Sequence, residues 1–218
     1  VLRNTAWRVV FCLVCAACAR SDDEWRGDLK NPDPHVRGLA AIGLSLQAPR
    51  AAEAALPVLL KTIDRSDVGL EREAARALSL LAPEHVEWLL EELVGNSLIS
   101  SDRRGAMLNA LVASGAKAAG PIVVCLQGPG RDVADQLGEV LLQIGAPAVP
   151  SLVQLLASPD DFSLQNYAAF LLGKLGPRAR GARPALEEAL NSPDKGVRRA
   201  ARGALQSMGR GRGASKGP

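Results

Sequence analysis

Three cysteines and two histidines are the first residues to test for chemistry. Cys12, Cys15 and Cys18 recur at every third position, the spacing of an iron–sulfur or zinc run. They sit in one apolar stretch, Val9–Ala19, with no fourth ligand nearby. Metal thiolates need positive or hydrogen-bonding neighbours, so this run reads as part of a leader and not as a metal site. His35 and His85 lie far apart and share no motif. Cys125, inside the apolar run 121–126, reads as a small hydrophobe and not as a nucleophile. No G-x-S-x-G elbow, phosphate-binding loop or dinucleotide-binding glycine pattern occurs. The expectation is a chain with no catalytic residue, no cofactor and no metal.

The elements that carry these residues follow from a repeat. The stretch Asn31–Leu44 returns 161 positions later as Ser192–Leu205. Pro32, Asp33, Val36, Arg37, Ala40 and Leu44 then fall on Pro193, Asp194, Val197, Arg198, Ala201 and Leu205. A shift of 161 is five steps of about 32 residues, within the range of stacked repeats. The last core leucines of the first helices of each repeat, here called A helices, are Leu44, Leu78, Leu111, Leu141, Leu172 and Leu205. Turns follow them at Ala48-Pro49, Ala82-Pro83, Gly115, Gly145, Gly176 and Gly209, where glycine would take the left-handed conformation that ends a helix. The second, B, helices carry a proline in the first turn at Pro57, Pro121, Pro150 and Pro184, with Glu87 in that slot in repeat 2. Aromatic residues are only 3% of the chain, which suits helix pairs packed through alanine and leucine rather than one round core.

Three segments frame the repeats. Residues 1–20 combine Arg3 and Arg8 with the apolar run Val9–Ala19, which as a helix spans about 16 Å, too short for a bilayer core. This is the pattern of a secretory signal. Two cleavage readings compete: ordinary signal peptidase after Ala17-Cys18-Ala19, or lipidation at Cys18 after a lipobox-like Cys15-Ala16-Ala17. An opening valine suits a bacterial gene that starts on a valine codon, and a truncated sequence would look the same. Residues 21–209 form the repeat body, begun by a short helix over 21–29 with Trp25 and Leu29 on one face. Residues 210–218, rich in glycine and charge, read as a disordered basic tail.

The motif P-D-x-x-V-R-x-x-A-A-x-x-L, followed by a glycine turn and P-x-L-x-x-x-L, resembles the HEAT repeat, in its short bacterial and phycobilisome-lyase-like form. The resemblance covers roughly residues 31–209, is strongest at the first and last A helices, and fades in repeats 3 and 4. It implies an all-α fold: a right-handed α-solenoid of about five and a half helix pairs, with B helices lining the concave side. It further implies that Arg37, Arg198 and their aspartates act as ladders between repeats. One metalloenzyme branch of such proteins, resembling deoxyhypusine hydroxylase, carries paired His-Glu dipeptides that hold two irons. Here Glu84-His85 is single and in the opposite order.

What remains for function is surface. Counted from the B-helix proline slot, the next residue is Val58, Trp88, Ile122, Ser151 or Ala185, and three further on stands Lys61, Glu91, Cys125, Gln154 or Glu188. Trp88 among Glu87, Glu91 and Glu92, with Lys61 and Gln154 in the second row, is the candidate partner-binding face, because tryptophan is enriched in binding hot spots. Packing of Trp88 between repeats 1 and 2 is the competing reading. Charge is uneven: residues 174–218 hold eleven basic and three acidic side chains, whereas residues 21–173 hold twelve and twenty. The basic end reads either as a polar cap on the last repeat or as a surface for an anionic polymer or lipid. Nucleic acid is not expected, since no aromatics are interleaved to stack bases. The functional expectation is a non-enzymatic, monomeric interaction scaffold, exported to the bacterial envelope or periplasm, binding a protein partner and touching the membrane only through a lipid on Cys18. The alternative is a cytosolic HEAT-like accessory protein of the phycobilin-lyase type.

Overall fold

Side chains that accept hydrogen bonds from free backbone N–H groups mark the starts of several helices, whereas the B helices begin without one. Ser21 and Glu24 form a reciprocal capping box at the head of α1 (Asp22–Asp28), with the Ser21 N–H donating to Glu24 Oε2 at 2.7 Å. That bond holds the Glu24 carboxyl below its ordinary pKa. Asp33 accepts from the His35 N–H at 2.8 Å and starts α2 (Pro34–Gln47), whose first residue is proline. Asp194 does the same for the Val197 N–H, at 2.8 Å, near the start of α12 (Lys195–Arg210). Arg37 completes the motif by donating from Nη1 to the carbonyls of Asn31 and Pro32, at 2.6 and 2.9 Å. Arg198 repeats this on Ser192 and Pro193, at 2.6 and 2.7 Å. These arginines clasp the loop that enters their own helix. The ladder role implied by the resemblance is thereby corrected: aspartate and arginine act within one repeat.

The computed structural model describes residues 20–48, 52–64, 68–96, 98–159 and 161–210. The segment expected to be a signal, with Cys12, Cys15 and Cys18, the turn residue Pro49, and the tail beyond Arg210 lie outside the described residues. Those described form no strand, and no single helix among them is long and apolar enough to cross a membrane. Two compact units divide the chain at Ser114 and Gly115.

In the first unit, α1 and α2 are followed by a 3-10 turn, Glu53–Ala55, leading into α3 (Leu56–Ile63). Next come α4 (Val68–Leu81), a 3-10 turn at Ala82–Glu84, α5 (Val86–Gly95) and α6 (Ser101–Ala113). The A helices α2, α4 and α6 pack in succession, and α1 packs on α2. Trp25 of α1 is buried, donates from Nε1 to Gln47 Oε1 at 3.0 Å, and lies so close to Gly43 that a Cβ there would sit 2.9 Å from the ring. The junction Ser97–Arg104, irregular as sequence, is described from Leu98 onward, and Asp64 at the end of α3 ties it down at Ser100 and Arg103. Arg103 pairs with Asp64 at 2.5 Å and Ser100, the cap of α6, donates its hydroxyl to the same carboxylate.

The second unit contains α7 (Ala116–Gln127), α8 (Ala134–Ile144), α9 (Val149–Leu156), α10 (Phe162–Leu175), α11 (Arg183–Ala189) and α12, with 3-10 turns at Pro129–Val133, Ala146–Ala148 and Gly176–Ala182. Here α8, α10 and α12 pack in succession as A helices, and α7, α9 and α11 do so as B helices. The leucines aligned from sequence, Leu44, Leu78, Leu111, Leu141 and Leu172, are fully buried. Leu205 is only partly so, because no further A helix follows it among the described residues. Buried hydroxyls are satisfied locally: Ser45, Thr62 and Ser114 each donate to the carbonyl four residues back.

Three local expectations change. Gly115, Gly145 and Gly176 have positive φ, of 56°, 80° and 56°, but ψ near −130° puts them in the mirror-extended region and not the left-handed helical one. Gly209 ends nothing, since α12 runs through it. In α7 the proline lies inside the helix, and the register shifts by one. Buried Ala119, Ile122, Val123 and Leu126 match buried Leu56, Leu59, Leu60 and Ile63 of α3 only if Gly120 occupies the slot. Pro121 therefore takes the place assigned to Ile122, and Val124 that assigned to Cys125.

Gly138 of α8 faces Tyr167 of α10. The phenol donates to the Ala134 carbonyl at 2.7 Å, and a Cβ on Gly138 would overlap the hydroxyl. Gly138→Ala should lower stability by about 1–3 kcal/mol in thermal or urea unfolding, with part of the loss recovered by adding Tyr167→Phe. An unchanged melting temperature would contradict the contact. Burial, with Asp135 and Glu139 alongside, pushes the Tyr167 pKa up to about 12. The neutral phenol is the form the fold favours, so its contribution is present below the ordinary value of about 10 and is lost as pH rises towards 12. As Tyr167 is the sole tyrosine, ultraviolet titration should show tyrosinate appearing well above pH 10 in native protein and near it in denaturant. Coincident curves would refute the burial.

Candidate functional site

B-helix residues two places after the slot are buried in every pair, which leaves the residues four places after it facing solvent. Lys61 on α3, Glu91 on α5, Val124 on α7, Gln154 on α9 and Glu188 on α11 are all exposed. Val58, Trp88, Pro121, Ser151 and Ala185 at the first place after the slot are all part-buried. Of the expected partner-binding residues, Lys61, Glu87, Trp88, Glu91 and Glu92 belong to the first unit, and Gln154 to the second. Glu87 and Glu91 are exposed on the same helix face as part-buried Trp88. Glu92 is part-buried and accepts from Asn96 Nδ2 at 3.2 Å. Trp88 itself is neither fully buried nor fully exposed.

Cys125 is part-buried, and burial pushes its thiol pKa up, away from the thiolate that nucleophilic attack requires. His35 is exposed, and its backbone N–H serves the Asp33 cap. His85 follows the 3-10 turn at Ala82–Glu84, with Nε2 buried and unpartnered. Among the described residues no three His, Cys, Asp or Glu side chains gather into a metal-holding group.

The A side of the second unit holds features that sequence reasoning passed over. Phe170 projects from α10 with 49% of its surface exposed, its ring centroid 6.5 Å from that of Tyr167. Lys174 Nζ lies 5.4 Å from the Phe170 ring. Between α10 and α12 runs a groove with Ala169, Phe170, Gly173, Lys174, Arg199 and Ala200 among its lining residues. Gly173 is what lets the two helices close: a Cβ there would lie 3.1 Å from the Ala204 Cα. The signal for this face was legible in Tyr167 and Phe170, three apart in a chain poor in aromatics.

Comparison with known proteins bears on the repeats. The family described as HEAT repeats matches residues 149–215, which take in α9 to α12. No curated protein matches. Among solved structures, human deoxyhypusine hydroxylase in complex with glycerol is matched at 20% identity and a TM-score of 0.44, over 96% of this chain and 82% of that one. The expectation that the chain is not an enzyme is corrected by this finding, since the neighbouring structure is that of an enzyme. A likeness that weak assigns no activity to this chain. The family match supports HEAT repeats over residues 149–215, and both units are built of helix pairs.

Proposed function

We propose that the protein is an interaction scaffold whose B-helix face receives a protein partner. The observation that carries this reading is the regular exposure of one position on every B helix, beside a part-buried neighbour that floors it. A face built this way presents side chains from several helices without disturbing the buried rows beneath them. In the first unit it is acidic and aromatic, with Glu87, Glu91 and Glu92 around part-buried Trp88 and Lys61 on the preceding B helix. Carboxylates around a part-buried indole suit a segment that brings an apolar or aromatic side chain flanked by Lys or Arg. Gln154 holds the exposed position on α9. The basic, apolar leader pattern favours export to the bacterial envelope, with Cys18 as the lipidated anchor.

One fractionation and crosslinking experiment tests both parts. The wild type should enter the envelope fraction and crosslink a partner. Cys18→Ala should leave the membrane fraction, whereas Trp88→Ala should stay and lose the partner while keeping its helicity. An uncut cytosolic chain would overturn the location. Undiminished crosslinking by Trp88→Ala together with Glu91→Lys would overturn the site.

A further inference from the structure

We propose that the groove between α10 and α12 is a second binding site, specific for an extended acidic peptide segment that carries an apolar or aromatic anchor. It lies within the second unit and on the opposite helix type from the face proposed above, so neither reading rests on the other.

The groove has an apolar floor and a cationic rim. Ala169, Gly173 and Ala200 give a floor without bulky side chains, over which Phe170 stands half out of the surface. A large exposed aromatic beside small residues is an anchor point, because a side chain laid against it loses water without displacing any packing. Lys174 and Arg199 supply the rim, and both are exposed. Neither forms an ion pair among the described residues; Lys174 lies over the Phe170 ring. Among the described residues no carboxylate lines this groove. The neighbouring groove on the other side of Phe170, towards α8, is of mixed charge: Asp135 and Glu139 line it together with Lys174 and Arg178. An anionic ligand therefore meets carboxylates as well as cations on the α8 side and only cations on the α12 side, which favours the groove with α12. The surrounding sequence agrees in sign, with eleven basic and three acidic residues from Lys174 onward. A purely anionic polymer would have no use for Phe170, and a purely apolar helix would leave Lys174 and Arg199 unpaired. An acidic peptide with one apolar anchor satisfies both.

The test is fluorescence anisotropy on the full chain with a labelled peptide of Asp and Glu around one Phe. Two controls accompany it: the same peptide with Ala for Phe, and a Lys/Arg version. Saturable binding of the first peptide alone is expected, weakening as salt is raised. Arg199→Glu should weaken it by about tenfold or more and Phe170→Ala by several-fold, with circular dichroism and melting temperature unchanged. Lys174→Glu is an independent second variant should Arg199→Glu fail to fold. Equal binding of the Ala control, equal binding of the basic peptide, or indifference to all three variants would overturn the proposal. So would a dimer in sedimentation that Arg199→Glu abolishes, since the occupant would then be a second copy.

Discussion

Close approach of helix backbones is the constraint on which the rest of this structure depends. With so few aromatic residues, the chain cannot fill wide gaps between helices, and contact energy has to come from short distances between small side chains. Glycine makes this possible at particular points. At Gly38 a Cβ would lie 3.0 Å from both Leu70 and Thr62, at Gly43 it would meet the Trp25 ring, and at Gly173 the Ala204 backbone. Helix order, the buried leucine rows and the exposed rows that remain all follow from pairs held this tightly.

Much of this was legible in the sequence, for local reasons. The proline–aspartate–valine–arginine motif announces a helix start wherever it occurs, because the aspartate caps the first turn and the arginine closes the loop before it. Its reach was misjudged: nothing in the residue types tells whether an arginine turns back on its own loop or crosses to the next repeat. The register of α7 failed for a similar reason. Pro121 looks like the prolines at 57, 150 and 184, yet only the burial of Ala119, Ile122 and Val123 shows that it stands one place later. Leu205 kept its alignment and lost its burial, since a repeat pattern does not say where the stack of described helices ends.

The sites divide in the same way. Glu87 and Glu91 are exposed as their spacing from the slot requires, while Trp88 is part-buried. The spacing of Tyr167 and Phe170 marks a shared face on α10, but the core leucine Leu172 does not tell what that face meets. A helix stripe defines the buried face, and the opposite face acquires meaning only once its neighbours are placed. The exclusion of catalysis does not stand, for another reason: familiar motifs mark known chemistries, and their absence says nothing of what a surface can do.

The most direct test of the central claim is amide hydrogen exchange on Gly173→Val beside the wild type. If the helix pairs depend on backbone approach at glycine, protection should fall in α10 and α12 together, since both must part to admit the side chain. Unaltered protection across α10 and α12, with the variant folded and as stable as the wild type, would contradict it.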